Sequence, residues 1–196
     1  LAWYERAHGA ADGSASMRAS EQLGNLRARV GEASGDAGTI DQAIGLLQQL
    51  VALRETPERH SLLGSAYKRQ AMLRAHVPAT GDERQALLAA LGEYERAEAL
   101  CRAAGANELH YPSLNIAAVQ LRLALKDRKP AQIDDRIEQV RAALQAQATA
   151  APDFWSLCGL VELSLIEALA QGRLAAAQIG IRNGFADLAQ RVPAPH

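Results

Sequence analysis

Between residues 40 and 50, apolar side chains fall at Ile40, Ala43, Ile44, Leu47 and Leu50. Steps of three and four match the turn of an α-helix, so these five share one face. The same period runs through most of the chain, and polar, glycine or proline stretches interrupt it. Gly9-Ala10-Ala11-Asp12-Gly13 ends a short first helix, and Ser14 can cap a second from about residue 15 to Val30. GEASGD (31–36) reads as a loop, after which Thr39 or Asp36 can cap a helix to about Leu53. Thr56-Pro57-Glu58 starts another, with proline at its first position, that runs to about Ala75. HVPATGD (76–82) is a turn; Asp82 or Thr80 caps the helix that follows, and Gly105 stops it after Ala104. Further helices are predicted over 109–126, 130–149, 153–171 and 173–191, separated by Lys129-Pro130, Ala151-Pro152 and Gln171-Gly172, with a frayed VPAPH tail. Alternation of period two is missing, so strands are not expected. The short connections make consecutive helices antiparallel neighbours.

Every second helix then repeats itself. Tyr4-Glu5-Arg6-Ala7 recurs as Tyr94-Glu95-Arg96-Ala97, 90 residues on, and Phe185 with Leu188 follows 91 residues later. Leu47 and Val140 fall near the intermediate steps, which makes the unit a helix pair of about 45 residues. The alternate helices carry a second signal: Leu23-Gly24, Leu63-Gly64 with Tyr67, and Trp155 with Cys158-Gly159. A glycine at a crossing lets two helices approach closely, and a bulky neighbour fills the space beside it.

These residues resemble the tetratricopeptide repeat (TPR), whose pattern is Trp-x-x-Leu-Gly-x-x-Tyr in a first helix and Ala-x-x-x-Phe-x-x-Ala in a second. Residues 57–104 match best, through Leu63, Gly64, Tyr67, Ala90, Tyr94 and Ala97. The fourth pair keeps Trp155, Gly159 and Phe185; the third has Asn115 in the glycine's place. Pairs are longer than the family's 34 residues. The resemblance implies an all-α, right-handed α-solenoid of antiparallel helix pairs, read as one domain over 1–196: a half-pair at 1–10, then pairs near 14–54, 57–104, 109–149 and 153–191. DGSAS (12–16), LLGSAYKR (62–69) and YPSLN (111–115) are also similar to the repeat regions of large bacterial proteins of the CHAT-peptidase kind and of the TRAFs-binding region of stress-activated kinase kinases. That similarity implies an effector domain elsewhere in the protein, of which this chain would be a fragment.

Composition narrows the function classes. The net charge is −1 with 22% charged residues, which gives no electrostatic footprint for nucleic acid and no basic run for an anionic membrane. No apolar run is long enough to span a bilayer. The two cysteines, Cys101 and Cys158, form no C-x-x-C pair and suit a reducing cytoplasm better than a disulfide framework.

Candidate chemistry is sparse. His8, His60, His76, His110 and His196 form no ligand pair one helical turn apart. Cys101 and His110 lack the setting of an activated nucleophile, and Cys158 fills the slot of a repeat leucine. No phosphate-binding glycine loop and no inward Glu-x-x-His pair is present, so neither cofactor nor metal is expected. An enzyme is not expected.

What remains is surface. If first helices line the concave side, Arg18, Glu21, Asn25 and Arg29 project from the first pair, and Ser61, Ser65, Lys68 and Arg69 from the second. Ile116, Val119 and Gln120 follow from the third, and Leu160 and Leu163 from the fourth. Such a groove is basic at one end and apolar at the other, fit for a protein or peptide partner. The competing readings are solvated charge, and a homo-oligomerisation or spacer module built on exposed ends. The half-pair is expected to expose Leu1, Trp3 and Tyr4, an edge for an upstream repeat or another chain to cover.

Overall fold

The computed structural model describes residues 1–9, 16–76, 82–105, 110–130 and 136–191. Its described residues form nine α-helices and no strand: α1 (Ala2–His8), α2 (Met17–Ser34), α3 (Ala37–Leu53), α4 (Pro57–His76), α5 (Glu83–Ala104), α6 (His110–Lys126), α7 (Arg136–Ala150), α8 (Phe154–Ala170) and α9 (Leu174–Arg191). The proposed caps Ser14 and Thr80, and the VPAPH tail, lie outside the described residues. Two compact units divide at Ala104 and Gly105, where the sequence places the boundary between its second and third pairs. Each unit is all-α and has the pairwise packing of a TPR-like solenoid.

In the first unit α2 packs on α3, α4 packs on α5, and α4 also packs on both α2 and α3. First helix on first helix is the contact that stacks one pair on the next. The α3 stripe read from the sequence is wholly buried, and with Leu63, Ala66 and Leu73 of α4 it forms the core. Each such leucine or isoleucine contributes about 1.5–3 kcal/mol by leaving water.

The caps follow local chemistry. Ser16 caps α2 by accepting from the Ala19 N–H at 3.2 Å. The Asp36 carboxylate caps α3, accepting from the N–H groups of Gly38 and Thr39 and from the Thr39 hydroxyl. Asp153 and Ser156 form a reciprocal capping box on α8.

The predicted loop 31–36 is corrected: α2 continues through it to Ser34. Gly31 is a contact residue rather than a breaker, since a Cβ there would lie 2.7 Å from Ile40 Cγ1 and 2.9 Å from the Asp36 carbonyl oxygen. The turn belongs to Gly35, whose φ of 72° is left-handed and favours glycine.

In the second unit α6 packs on α7 and α8, α7 on α8, and α8 on α9. Leu114, Leu121, Ile137, Val140, Leu144, Leu163 and Ile166 form its core. Spacing places Phe185 in the slot of Tyr94, but the burial of Tyr94 is not shared. Gly159 lies against Leu144 and Leu114, of α7 and α6, and Phe185 remains 38% exposed. On α9 it is Gly184 that makes the close approach, to Val161 of α8.

Candidate functional site

The two glycines of the first unit do what their spacing implies. A Cβ on Gly24 would lie 2.7 Å from Leu47 Cγ, and one on Gly64 would lie 3.1 Å from the Tyr94 ring. Both contacts join the first helix of a pair to the second, at equivalent points. Tyr94 and Leu47 are fully buried.

The polar groups of this unit converge on α4. Three helices pack on α4, so it buries Arg59, His60, Ser61, Ser65 and Gln70 along with its apolar residues. Buried polar groups persist only when hydrogen-bonded, and the partners come from each neighbour. Arg59 donates through Nε to Glu21 Oε1 of α2 at 2.7 Å, and through a terminal nitrogen to the carbonyls of Leu50 and Arg54, each at 2.9 Å. Arg69 pairs with Glu32, again on α2. Gln70 donates to Asp41 Oδ1 at 2.6 Å and Gln48 to the Tyr67 hydroxyl at 2.8 Å, both tying α3 to α4. His60, 4% exposed, has Nδ1 2.7 Å from Glu93 Oε2 and Nε2 3.5 Å from Glu55 Oε1. Arg96 bonds the Glu55 carboxylate and holds it below the usual carboxylate range.

The two α2–α4 ion pairs join residues 38 and 37 positions apart, so the first helices run parallel in a nearly constant register. Both acidic members lie on α2 and both basic members on α4.

The residues assigned to a concave groove therefore divide. Arg18 and Arg29 are exposed and Asn25 half-buried on one stripe of α2, at steps that share a helix face. Lys68 is half-buried on α4, its ammonium 5.9 Å from the centre of the Tyr94 ring. Glu21 is only 8% exposed and is committed to Arg59, while Arg69 is committed to Glu32. Ser61 and Ser65 are each 8% exposed, inside the packing of α4. Gln120 is half-buried on α6 in the second unit. Ile116, Val119 and Leu163 are core residues, at most 1% exposed, which removes them from an apolar groove lining. Leu160, half-buried, packs against the same core as Leu163. Sequence reasoning gave Arg59 no role and weighed His60 only as a metal ligand, because neither carries a periodic signal.

Reactive chemistry is muted at the thiols. Cys101 is buried in α5, and burial together with the Glu162 carboxylate raises the Cys158 thiol above its usual range. Among the described residues no group of three His, Cys, Asp or Glu side chains could hold a metal ion. No helix among them is long and apolar enough to cross a membrane.

No curated protein and no solved structure matches the chain. The family model for Tetratricopeptide Repeats-Sensor (TPR-S) matches residues 1–122, which takes in α1 to α5 and most of α6. The Gly24–Leu47 and Gly64–Tyr94 contacts and the α2–α4 stack all fall inside that span, and the match assigns the chain: it belongs to the Tetratricopeptide Repeats-Sensor family.

Proposed function

We propose that the chain is a non-catalytic scaffold whose first-helix face, on α2 and α4, holds a protein or peptide partner and reports its presence to an effector domain elsewhere in the full-length protein. TPR-type repeats mediate protein–protein interaction, and the family's name describes a sensor. The observation that carries the reading is the polar stripe of α2, exposed Arg18 and Arg29 with half-buried Asn25, together with half-buried Lys68 on α4. It is a basic surface on a chain of net charge −1. Such a surface suits a peptide with a carboxylate-rich end. An effector of the CHAT-peptidase or TRAFs-binding-region kinase kind, acting in the cytoplasm, fits the sequence similarities and belongs to this proposal.

The test is an array of short peptides probed with the purified chain and with an Arg18→Glu/Lys68→Glu variant. Arg69 is left intact because reversing it would break its pair with Glu32. Retention of acid-ended peptides by the first and not by the second is the expected result. Peptides held equally by both would move the binding surface off this face, and an array with no retention would remove the peptide-binding reading.

A further inference from the structure

In the second unit, aromatic side chains gather at one end of the helices and stay open to water. A Cβ on Gly159 of α8 would lie 3.2 Å from Leu114 Cδ1 of α6, and Leu121 of α6 shares a core with Ile166 of α8. Both pairs are separated by 45 positions, so α6 and α8 run in one direction and start side by side. His110, the first residue of α6, acts electrostatically on Asp153, the cap of α8, at that same end. The first turns then bring Tyr111 on α6 near Trp155 on α8, with Phe154 edge-on to Trp155 at 5.2 Å between ring centres. Tyr111, Trp155 and Phe154 are 46%, 70% and 39% exposed. In a chain that is only 4% aromatic, this is a concentrated apolar surface, and such surfaces mark contacts.

Helix α9 returns to this end. The short 171–173 turn makes α8 and α9 antiparallel, and a Cβ on Gly184 would lie 2.9 Å from Val161 Cγ2. Seven residues on from Gly184 is Arg191, the last of α9; seven back from Val161 is Phe154, the first of α8. The chain therefore leaves α9 abreast of the aromatic rings. The next four residues, 192–195, read Val-Pro-Ala-Pro: they carry no charge and two prolines. In a polyproline helix, at about 3.1 Å per residue, they span about 12 Å. That exceeds the roughly 8–10 Å between the axes of packed helices, so the segment is long enough to cross from α8 to α6.

We propose that residues 192–195 of this same chain strap across Trp155, Phe154 and Tyr111, with Pro193 and Pro195 packed on the rings. Proline segments are preformed, so they lose little conformational entropy on docking, and aromatic-lined surfaces are what they dock on. A polyproline strand also leaves its carbonyls unbonded, and the exposed indole of Trp155 has an N–H to donate to one of them. The tether decides between occupants. A segment attached abreast of the rings meets them at an effective concentration of about a millimolar, which favours it over a second copy or a separate protein that must come from solution. The strap is independent of the peptide-binding face proposed above, which lies on α2 and α4 of the first unit.

The test reads Trp155 alone. The chain has two tryptophans, so Trp3→Phe in the whole chain leaves Trp155 as the fluorophore. Adding Pro193→Gly and Pro195→Gly should raise iodide quenching of Trp155 by about twofold and move its emission to longer wavelength, as a weak tethered contact is released. Far-ultraviolet circular dichroism should not change, because both substitutions lie beyond α9. Nuclear Overhauser contacts from the proline rings to the Trp155 indole and the Tyr111 ring are expected, and they should persist on dilution. Equal quenching in the two proteins would overturn the proposal: with a long-wavelength emission the rings stand open, and with a short one another segment covers them. Shielding that disappears on dilution would overturn it too, and would assign the rings to a second copy.

Discussion

At the residue scale, glycines that look alike in the sequence should respond in opposite directions to an added methyl. Alanine improves a helix interior by about 0.5–1 kcal/mol where nothing opposes it. Gly92, exposed in α5 with no atom within 4 Å of where a Cβ would stand, is such a site, and Gly92→Ala should raise the melting temperature. At Gly24 the same change drives a Cβ into Leu47, and overpacking of that kind costs about 1–3 kcal/mol. Gly24→Ala should therefore lower the denaturation midpoint; equal shifts of one sign would contradict the contact. Arg59 is the most demanding side chain in the first unit. Arg59→Ala leaves the Glu21 carboxylate and two backbone carbonyls short of a donor, a loss of about 3–5 kcal/mol. Urea unfolding measures it. Substituting Glu21→Leu and Arg59→Met together should recover only a fraction of the loss, because the carbonyls of Leu50 and Arg54 stay short of that donor.

At the element scale, what could be read from the sequence depended on how many neighbours a helix has. The α3 stripe was legible in full because α3 presents one continuous apolar face. Helix α4 has three neighbours, and its buried Arg59 and His60 carry no periodic signal. Gly31 was misread for a related reason: a glycine that ends a helix and one that admits a neighbour have the same letter. Phe185 was placed by spacing in the slot of Tyr94, yet it stays 38% exposed, since spacing fixes the side of a helix and not what lies beyond it. Of the caps, Asp36 was legible, whereas Ser16 and Asp153 went unnamed; the two carboxylate caps give a pH prediction. Bonds from Thr39 hold the Asp36 carboxyl below its ordinary range, and the bond from the Ser156 N–H does the same for Asp153. Groups with folded values below their unfolded ones add stability above the ordinary carboxylate range and lose it as the pH falls through the lowered value. Melting temperature should thus drop on acidification, and Asp36→Asn, which keeps a capping acceptor, should flatten that drop.

At the scale of the whole molecule, the chain forms two compact units, Leu1–Ala104 and Gly105–His196. The first holds the Gly24–Leu47 and Gly64–Tyr94 contacts and lies wholly inside the family match. Expressed alone, residues 1–104 should give a helical spectrum and one cooperative melt; a non-cooperative melt would show that the first unit depends on the second. Deleting residues 1–13 removes α1 and, among the described residues, the His8–Ser20 and Glu5–Arg27 bonds to α2. A small fall in melting temperature is expected, and a large one would contradict a half-pair held mainly at one side.

The paired register of α2 and α4 has a mechanical consequence. Glu21 and Glu32 lie eleven positions apart on one helix, and Arg59 and Arg69 ten apart on the other. At the rise of an α-helix these intervals are about 16 Å and 15 Å, so the two rods are pinned at both ends of a nearly matched span. A slide of one turn, about 5.4 Å, would unlatch both pins at once. Shear between these two helices is therefore the stiff direction, while tilt about either pin is softer. A load applied where a partner binds would travel along the stack as a change of angle between rods, with little change in their length of overlap.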